Sequence, residues 1–375
     1  MKAGVVRETH PGERRVALVP ESVARIHARG VDFVIEAGAG AAAGFDDDAY
    51  REAGAEIAAT AADVLASADL VVRVQAPDAT EIEASKAGAA VVGLLFPLTA
   101  AAMVQQLRSA RLTAIALDRI PRVTLAQSMD VLSSQSTVAG YRAAVLAAYR
   151  LPQFFPLLMT AAGRIDPARI LVLGAGVAGL QAIATAHRLG AVVEAYDVRA
   201  VVKEQVESLG ASFVEVPAID DAETEGGYAR EVSEESQQRA NEVIAERLRS
   251  TDACITTALI PGRPAPRLIT AGMVEGMPHG SLIVDLAAEQ GGNCELTKPG
   301  EEVNVNGVTI LGPLNLASDL AADASRMFSR NAEKLVLYLL NDGELSFDFD
   351  NEIVKGCVVT HDGEIVDEQV AEALA

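Results

Sequence analysis

The sequence predicts an α/β fold of two doubly wound domains joined by long hinge helices, and three observations support this prediction. Short apolar runs alternate with amphipathic helical patterns over the first ~130 residues, and the same alternation returns between about residues 167 and 313. A glycine-rich motif opens the second of these regions. Two long helical patterns, near residues 130–150 and 325–340, lie where the chain would leave the first region and return to it.

Apolar runs predict the strands of each region, and amphipathic patterns predict the helices between them. In the first region the predicted strands are 2–6, 32–36, 70–73, 90–94 and 113–116, and the predicted helices include 20–29, 47–53 and 101–110. In the second region strands are expected near Ile170, Val192, Ser212, Ala253, Leu282 and Val308. The acidic tail predicts a strand over 353–360 and a weak terminal helix.

These elements also predict the domain organisation. Residues 1–130 and 318–375 would form a discontinuous N-terminal domain, and residues 131–317 a second domain that includes the first hinge helix. Ligands of doubly wound sheets bind outside the carboxyl ends of the strands. We therefore expect a cofactor cleft between the two domains, where strand ends of both sheets face each other.

The motif Gly174-x-Gly176-x-x-Gly179 follows an apolar run directly and opens a helical pattern. The first glycine permits a tight turn, the second lets backbone approach a pyrophosphate, and the third lets the helix pack against its strand. The next strand ends in Asp197, whose carboxylate can accept hydrogen bonds from both ribose hydroxyls and repel a 2′-phosphate. These features predict a Rossmann-like domain that binds NAD(H) rather than NADP(H), although Arg199 lies close enough to contact a 2′-phosphate. A glycine-rich turn without a ligand is the alternative.

Composition excludes several other classes of function. The net charge of −21 argues against nucleic acid and anionic membranes as direct partners. The chain has no apolar run near the ~20 residues of a membrane span, and its charged start is unlike a secretory signal. We therefore expect a cytoplasmic protein. The three cysteines (Cys254, Cys294 and Cys357) and five histidines are scattered, so neither disulfides nor a metal site is expected.

One segment interrupts the α/β alternation. Residues 220–238 are acidic and polar, with Gly226-Gly227-Tyr228 near their centre. A polar loop with a glycine hinge and one aromatic residue is typical of a lid that closes over a ligand. A solvated connection beside a charged helix start is the alternative.

Two further motifs resemble a known family. The first is Arg7-Glu8-x-x-x-Gly12-Glu13-x-Arg15-Val16-Ala17, and the second spans residues 122–136, with Arg122, Gln127 and Asp130. Together they resemble alanine dehydrogenases and the NAD-binding domain I of proton-translocating nicotinamide nucleotide transhydrogenases. Shorter matches occur at residues 159–163, 223–228, 256–262, 285–287 and 321–325.

Departures from the alanine dehydrogenase pattern favour the transhydrogenases. Alanine dehydrogenases carry a lysine where this chain has Gln75, and a catalytic histidine where it reads Leu95-Phe96-Pro97. Amino-acid oxidation needs a proton donor and acceptor, whereas direct hydride transfer between two nicotinamides needs none at the site. Arg15 can still bind a carboxylate, and His10 is the only nearby histidine. An alanine dehydrogenase-like enzyme and a catalytically silent NAD(H) sensor or scaffold are the alternatives.

The resemblance implies roles for individual residues. Gln127 would reach toward NADP(H) held by another protein domain, Arg122 and Asp130 would hold the nicotinamide and its ribose, and Ser133 would anchor the carboxamide. A polar loop that caps a helix is the alternative interpretation of this segment. Tyr228 would close over bound NADH, unless it only anchors its loop. The full predicted set comprises three catalytic residues (Gln127, Arg122 and Asp130) and the cofactor-binding residues Gln127, Ser128, Met129, Asp130, Ser133, Gly174, Gly176, Val177, Ala178, Gly179, Asp197, Val198, Arg199, Gly227, Tyr228, Thr257 and Leu259.

The resemblance also implies partners. The chain would be a separate soluble alpha subunit that binds NAD(H) in a Re/Si-specific transhydrogenase. An NADP(H)-binding domain III on a beta subunit and membrane-spanning subunits would be other chains, and they would couple hydride transfer from NADH to NADP⁺ to proton translocation. We expect a homodimer, without nucleic acid or direct membrane insertion, that lies at the membrane through its partner subunits.

Overall fold

A computed structural model describes residues 1–216, 234–260 and 263–374, with backbone only at 234–236. The chain divides into two compact units. Unit 1 comprises Met1–Gln135 and Ala317–Ala375, and unit 2 comprises Ser136–Leu316. Each unit contains a sheet dominated by parallel strands, which confirms the predicted α/β class.

The described elements follow in chain order. The strands are β1 Lys2–Val5, β2 Asp32–Glu36, β3 Ala55–Ala58, β4 Leu70–Val72, β5 Ala90–Gly93, β6 Thr113–Ala116, β7 Leu158–Thr160, β8 Gly163–Ile165, β9 Arg169–Leu173, β10 Val192–Tyr196, β11 Ser212–Phe213, β12 Ala253–Thr256, β13 Leu282–Asp285, β14 Glu302–Val305, β15 Val308–Leu311, β16 Leu340–Asn341, β17 Glu344–Leu345, β18 Val358–His361 and β19 Glu364–Ile365. The α-helices are α1 Pro20–His27, α2 Asp47–Glu52, α3 Ala61–Ser67, α4 Ala79–Ala84, α5 Ala101–Ser109, α6 Val131–Arg150, α7 Val177–Arg188, α8 Lys203–Ser208, α9 Glu234–Leu248, α10 Ala271–Glu275, α11 Ala321–Leu339, α12 Glu352–Cys357 and α13 Glu368–Leu374.

The sheet of unit 1 has the strand order β19-β18-β6-β5-β4-β1-β2-β3. Strands β1 to β6 are parallel, and β18 adds an antiparallel partner to β6. The neighbours Val71 and Val72 of β4 pack into two different apolar clusters, so β4 is buried on both faces. Apolar runs without alternation are what a parallel sheet covered on both sides requires. The order changes direction between β1 and β4, which defines the switch point of this sheet.

The sheet of unit 2 repeats that topology, with the order β11-β10-β9-β12-β13-β15-β14. All its pairs are parallel except the edge pair of β14 and β15. Leu171 and Val172 again pack into different apolar clusters, so β9 is buried on both faces. The switch point lies between β9 and β12, directly beside the glycine motif.

The predicted strand over 353–360 is wrong in its first half. The Asn351 side-chain oxygen accepts hydrogen bonds from the N–H groups of Ile353 and Val354, at 2.9 and 3.3 Å. This N-cap starts helix α12, and β18 begins only at Val358. In the described residues of the chain, no helix combines the length and the hydropathy that a membrane crossing requires.

Candidate functional site

The glycine turn of unit 2 has little room for side chains. Gly174 has φ of +101°, and a Cβ there would lie 2.7 Å from the Thr257 hydroxyl. A Cβ on Gly179 would lie 1.9 Å from the Gly174 carbonyl oxygen. Only Gly176 is open, with no heavy atom within 4 Å except Arg199 Nη2 at 4.0 Å. Gly174 and Gly179 are therefore required by packing, while Gly176 leaves space beside the start of α7.

The open side of Gly176 lies at the start of a helix. Helix α7 begins at Val177 without a side-chain cap, so its first N–H groups point away from the helix body. These groups and the helix dipole favour an anion at this position. Val177 is exposed and Ala178 half-buried, whereas Gly179 is buried. A Cβ on Gly140 of α6 would lie 2.1 Å from the Ala178 carbonyl oxygen, so α6 packs closely against this turn.

The chain after β12 supports the turn through side-chain hydrogen bonds. The Thr257 hydroxyl donates to the Gly174 carbonyl at 3.0 Å. Asn293 accepts from the Ala258 N–H at 3.0 Å and donates to the Ala258 carbonyl at 2.8 Å. Because Asn293 is fully buried, these bonds fix the backbone at the switch point. Leu259 follows with an exposed side chain.

Asp285, the last residue of β13, stabilises the same region. No role was predicted for it from the sequence. Its buried carboxylate accepts from the Thr256 hydroxyl at 2.8 Å and from the Thr297 hydroxyl at 2.6 Å. It also accepts from the backbone N–H groups of Ala287 and Cys294, both at 3.0 Å. A carboxylate with this many donors orders the loop after β13.

At the end of β10, Asp197 accepts four hydrogen bonds. The Ala175 N–H and Arg199 Nη2 donate to Oδ2, at 2.7 and 2.8 Å. The Arg199 N–H and Nε donate to Oδ1, both at 2.9 Å. The two side chains are only 6% and 13% exposed. Val198 between them is half-buried.

In unit 1, Arg122 precedes a short 3₁₀ segment, Thr124–Met129, and the other predicted residues lie in this segment and at the start of α6. Arg122, Gln127 and Ser128 are exposed, and Met129 is buried. Asp130 accepts from the N–H and the hydroxyl of Ser133, at 2.9 and 2.6 Å. The N-cap that the sequence offered as an alternative is therefore present, and it holds both side chains at the start of α6.

Asn331 of α11 also contacts this segment, although no sequence motif points to this residue. Its Nδ2 donates to the Ser128 carbonyl at 2.8 Å. Its buried Oδ1 has no hydrogen-bond partner among the described residues. The residue after Gln127 is thus held through its backbone carbonyl by the Asn331 side chain. No local pattern around Asn331 marks this contact, because the two positions are far apart in the sequence.

A buried network also occupies unit 1 near the end of β4. Arg15 donates from Nε and Nη2 to the two oxygens of Glu13, at 2.8 and 2.6 Å, and from Nη1 to Gln135 at 2.8 Å. Gln75 donates to Glu13 at 2.7 Å. Burial by itself raises the pKa of Glu13, but Arg15 and Gln75 outweigh it and lower that pKa to about 2. The guanidinium of Arg15 is therefore already hydrogen-bonded to groups of its own chain.

Glu8 lies beside this network, at the switch point of the sheet. It accepts from the N–H groups of Val74 and Gln75, at 2.5 and 3.2 Å. Arg73 Nη2 lies 3.8 Å from its carboxylate. Burial raises the pKa of Glu8 to about 7, against the lowering effect of Arg73 and the two N–H groups.

The position at which alanine dehydrogenases carry a histidine has no titratable side chain. The N–H groups of Leu95 and Phe96 donate to Asp118, at 2.7 and 3.1 Å. His10 is exposed on the loop after β1. Among the described residues, no group of histidines, cysteines and carboxylates could hold a metal ion. Gly227 and Tyr228, and with them the predicted lid centre, lie outside the described residues.

Two protein-family models match the chain. The model described as the N-terminal domain of alanine dehydrogenase/PNT matches residues 4–139. The model of the C-terminal domain of alanine dehydrogenase/PNT matches residues 143–368. Together they span both units.

Individual proteins are similar over almost the whole chain. An NAD(P) transhydrogenase subunit alpha of Rhodospirillum rubrum is 49% identical, covering 98% of this chain and 98% of that protein. The solved structure of transhydrogenase from Sinorhizobium meliloti is 42% identical with a TM-score of 0.87, covering 98% of this chain and 100% of that one. A solved L-alanine dehydrogenase is 26% identical with a TM-score of 0.84, covering 100% of both chains.

Proposed function

The chain belongs to the alanine dehydrogenase/PNT family, among the NAD(P) transhydrogenase alpha subunits, and from this premise we propose that it is the NAD(H)-binding component of a proton-translocating transhydrogenase. Direct hydride transfer from NADH to NADP⁺ on a partner domain is the proposed reaction. The family itself establishes nicotinamide nucleotide chemistry. The assignment of NAD(H) to this chain and NADP(H) to a partner is our proposal.

One observation supports transhydrogenation over amino-acid oxidation. The buried fork of Arg15 is closed onto Glu13 and Gln135, and Gln75 donates to the same Glu13. A keto-acid carboxylate would have to displace a buried partner of matching geometry. Gln75 also carries no charge to attract such a substrate, and Leu95 and Phe96 supply no proton donor. Direct hydride transfer between two nicotinamides requires neither a site for a keto-acid carboxylate nor a proton donor.

We assign binding roles in unit 2 from its geometry. The open space at Gly176 and the start of α7 would hold the pyrophosphate. Asp197 would accept hydrogen bonds from the adenosine ribose, with Val198 and Arg199 beside it. Thr257 and Leu259 would face the adenosine at the switch point. We further propose that Gly227 and Tyr228 close over the bound nucleotide.

We assign orienting roles to the unit 1 segment. Bound NADH would supply the hydride from C4 of its nicotinamide. Arg122 and Asp130 would hold the nicotinamide and its ribose, and Ser133 the carboxamide, with Ser128 and Met129 shaping the segment. Gln127 is exposed on the 3₁₀ segment and would reach the NADP(H) side. These residues orient two rings and exclude water, and no proton needs to move between them.

We also propose the assembly in which this reaction occurs. The chain would form a homodimer that associates with an NADP(H)-binding beta subunit and with membrane-spanning subunits. It would then lie on the cytoplasmic side of the membrane through those partners. Proton translocation would belong to the partner chains.

The proposal is tested by cyclic hydride transfer. The purified chain is mixed with the NADP(H)-binding domain from the same source, NADH, an NAD⁺ analogue of distinct absorbance and catalytic NADP(H). Rapid reduction of the analogue that needs both proteins is the expected result. No transfer, together with NADH formation from L-alanine and NAD⁺, would instead identify an alanine dehydrogenase-like enzyme. In that case Gln75→Lys should raise the rate.

The role of Gln127 is tested in the same assay. Gln127→Asn keeps the amide but withdraws it by one methylene, so hydride transfer should fall far more than NADH affinity. Gln106→Asn makes the same change on an exposed residue of α5 and should leave both unchanged. An equal loss of transfer rate and NADH affinity in Gln127→Asn would contradict the assigned role.

A further inference from the structure

Phe96 of unit 1 combines two unfavourable features. Its backbone has φ of +44°, in the left-handed region that a bulky L-residue rarely adopts. Its side chain is 48% exposed, although it is a large apolar group. Among the described residues, the other non-glycine positions in this region are Arg111 and four Asn or Asp residues, and Asn and Asp tolerate it. Backbone strain of this kind is concentrated at functional sites, so Phe96 is a candidate for a functional residue.

Hydrogen bonds hold Phe96 in this conformation. The N–H groups of Leu95 and Phe96 donate to Asp118 Oδ1, at 2.7 and 3.1 Å. The Phe96 carbonyl accepts from the N–H and the hydroxyl of Thr99, at 3.0 and 3.1 Å. Both polar groups of the Phe96 backbone are therefore bonded, which fixes the point from which the ring projects.

The sheet topology brings Phe96 to the edge from which the 3₁₀ segment also leaves. Strands β5 and β6 are parallel neighbours, so the chain leaves both strands at the same edge. Phe96 follows β5 by three residues, and Asp118 follows β6 by two. The chain then continues into the segment Thr124–Met129, where Leu125 is 64% exposed. Exposed apolar side chains and the polar residues to which we assigned the nicotinamide therefore belong to one edge of the sheet.

We propose that Phe96 is a contact residue for the nicotinamide of NADH, whose ring packs against the Phe96 side chain. This inference rests on the proposed function. Hydrogen bonds to the carboxamide and the ribose leave the flat face of a nicotinamide uncovered, and an aromatic side chain can pack on such a face. Direct hydride transfer needs this ring in a fixed position with water excluded. The strained backbone then serves to hold an apolar ring where the ligand meets it.

The test compares the affinity for NADH with the affinity for ADP-ribose, which lacks the nicotinamide. Both affinities are measured by calorimetry on the purified chain. Phe96→Gly removes the ring and leaves a residue that adopts the left-handed conformation without strain. It should weaken NADH binding at least about threefold and leave ADP-ribose binding unchanged.

Arg111→Gly is the matched control, because Arg111 also has a positive φ, of +57°, and an exposed side chain. It lies just before β6, at the opposite edge of the sheet, so both affinities should stay at the native values. Phe96→Asn carries the same expectation as Phe96→Gly if the glycine variant does not fold. Because alanine keeps the strain and glycine relieves it, Phe96→Gly should unfold at a higher urea concentration than Phe96→Ala.

An equal loss of affinity for NADH and ADP-ribose, or no loss of either, would overturn the proposal. Unchanged NADH affinity together with slower cyclic hydride transfer would assign Phe96 to the contact with the partner domain, and it would overturn the proposal as well. The proposed function fails in a different way, because native protein would then bind neither NADH nor ADP-ribose. Native binding of NADH with no selective loss in Phe96→Gly would contradict only the contact at Phe96.

Discussion

The two units contain the same topological feature with different contents. In each sheet a carboxylate at the end of the second strand accepts a hydrogen bond from the turn after the first strand. Asp197 accepts from the Ala175 N–H at 2.7 Å in unit 2, and Glu36 accepts from the Arg7 N–H at 2.7 Å in unit 1. In unit 2 the turn enters helix α7 at once. In unit 1 a long loop intervenes, and α1 begins only at Pro20.

The difference lies at the switch point. In unit 2 the glycine turn lies there, and a Cβ on Gly176 would meet no heavy atom closer than 4.0 Å. In unit 1 Glu8 occupies the switch point, and its carboxylate accepts hydrogen bonds from the N–H groups that follow β4. Strand order therefore defines the switch point, and local residues decide whether it is open. The functional side chains that we propose in unit 1 come instead from the segment after β6.

Gly179→Ala should have the largest effect, since it breaks the feature that distinguishes unit 2. The added Cβ would lie 1.9 Å from a backbone carbonyl oxygen, where no flexible side chain can yield. We expect a loss of more than about 4 kcal/mol in the free energy of unfolding, and loss of NADH binding. Urea unfolding and nucleotide fluorescence measure the two effects.

Gly272→Ala is the matched control, because a Cβ on this helical glycine of α10 meets nothing within 4 Å. It should be neutral or stabilise by about 0.5 kcal/mol. Equal stability of the two variants would show that close packing does not require Gly179.

The fold was predictable to the extent that it depends on local patterns. The apolar run 170–173, the glycine motif and the acid at 197 each report a local requirement of backbone or burial, and the predicted class was confirmed. The boundary error at 353–360 has a physical cause. Apolar residues in that stretch suit a buried strand or a short buried helix equally, and the Asn351 cap selects the helix.

Arg15→Met should have the second-largest effect, because it breaks the network that fills unit 1. It leaves the buried Glu13 carboxylate without its main partner, and such losses cost about 3–4 kcal/mol. The double variant Arg15→Met with Glu13→Gln should recover much of this cost, since no buried charge is then left unpaired. Urea unfolding of the native protein, Arg15→Met and the double variant measures the loss and its recovery. A cost below about 1 kcal/mol for the single variant would mean that the pair is effectively solvated.

The buried Glu8 of unit 1 predicts that the stability of the protein depends on pH. Its pKa in the folded protein is raised to about 7 from 4.5, so the folded state binds more protons between these values. The free energy of unfolding should therefore fall as pH rises from about 5 to above 7, by at most about 3 kcal/mol.

Glu8→Gln should flatten this decline, and Glu52→Gln, on an exposed residue of α2, should not. The measurement is urea unfolding at several pH values from 5 to 8. An unchanged slope in Glu8→Gln would assign the decline to another group.

The candidate site was predictable where a sequence motif carries the contact and not where the contact is long-range. Asp130 and Ser133 are three residues apart, and their cap was foreseen. Asn331 is 203 residues from Ser128, and only the tertiary fold brings them together. The closure of Arg15 onto Gln135 has the same origin. The roles of these residues toward a nucleotide stay predictions.

Asn331→Leu should have the smallest effect on stability and the most specific effect on the unit 1 segment. In unit 2 the glycine turn is held by Thr257 and Asp197, whereas the 3₁₀ segment of unit 1 receives a hydrogen bond from Asn331. Leucine removes that donor and also the buried Oδ1, which has no partner in the part of the chain that the structure describes. The two changes offset each other, so stability should shift by less than about 1 kcal/mol. If Asn331 positions Gln127 through Ser128, cyclic hydride transfer should still fall several-fold, with NADH affinity little changed.

Arg330→Leu, on the exposed neighbour in α11, is the control for a general effect on the helix. Unchanged transfer in Asn331→Leu would show that the 3₁₀ segment holds Gln127 without this contact.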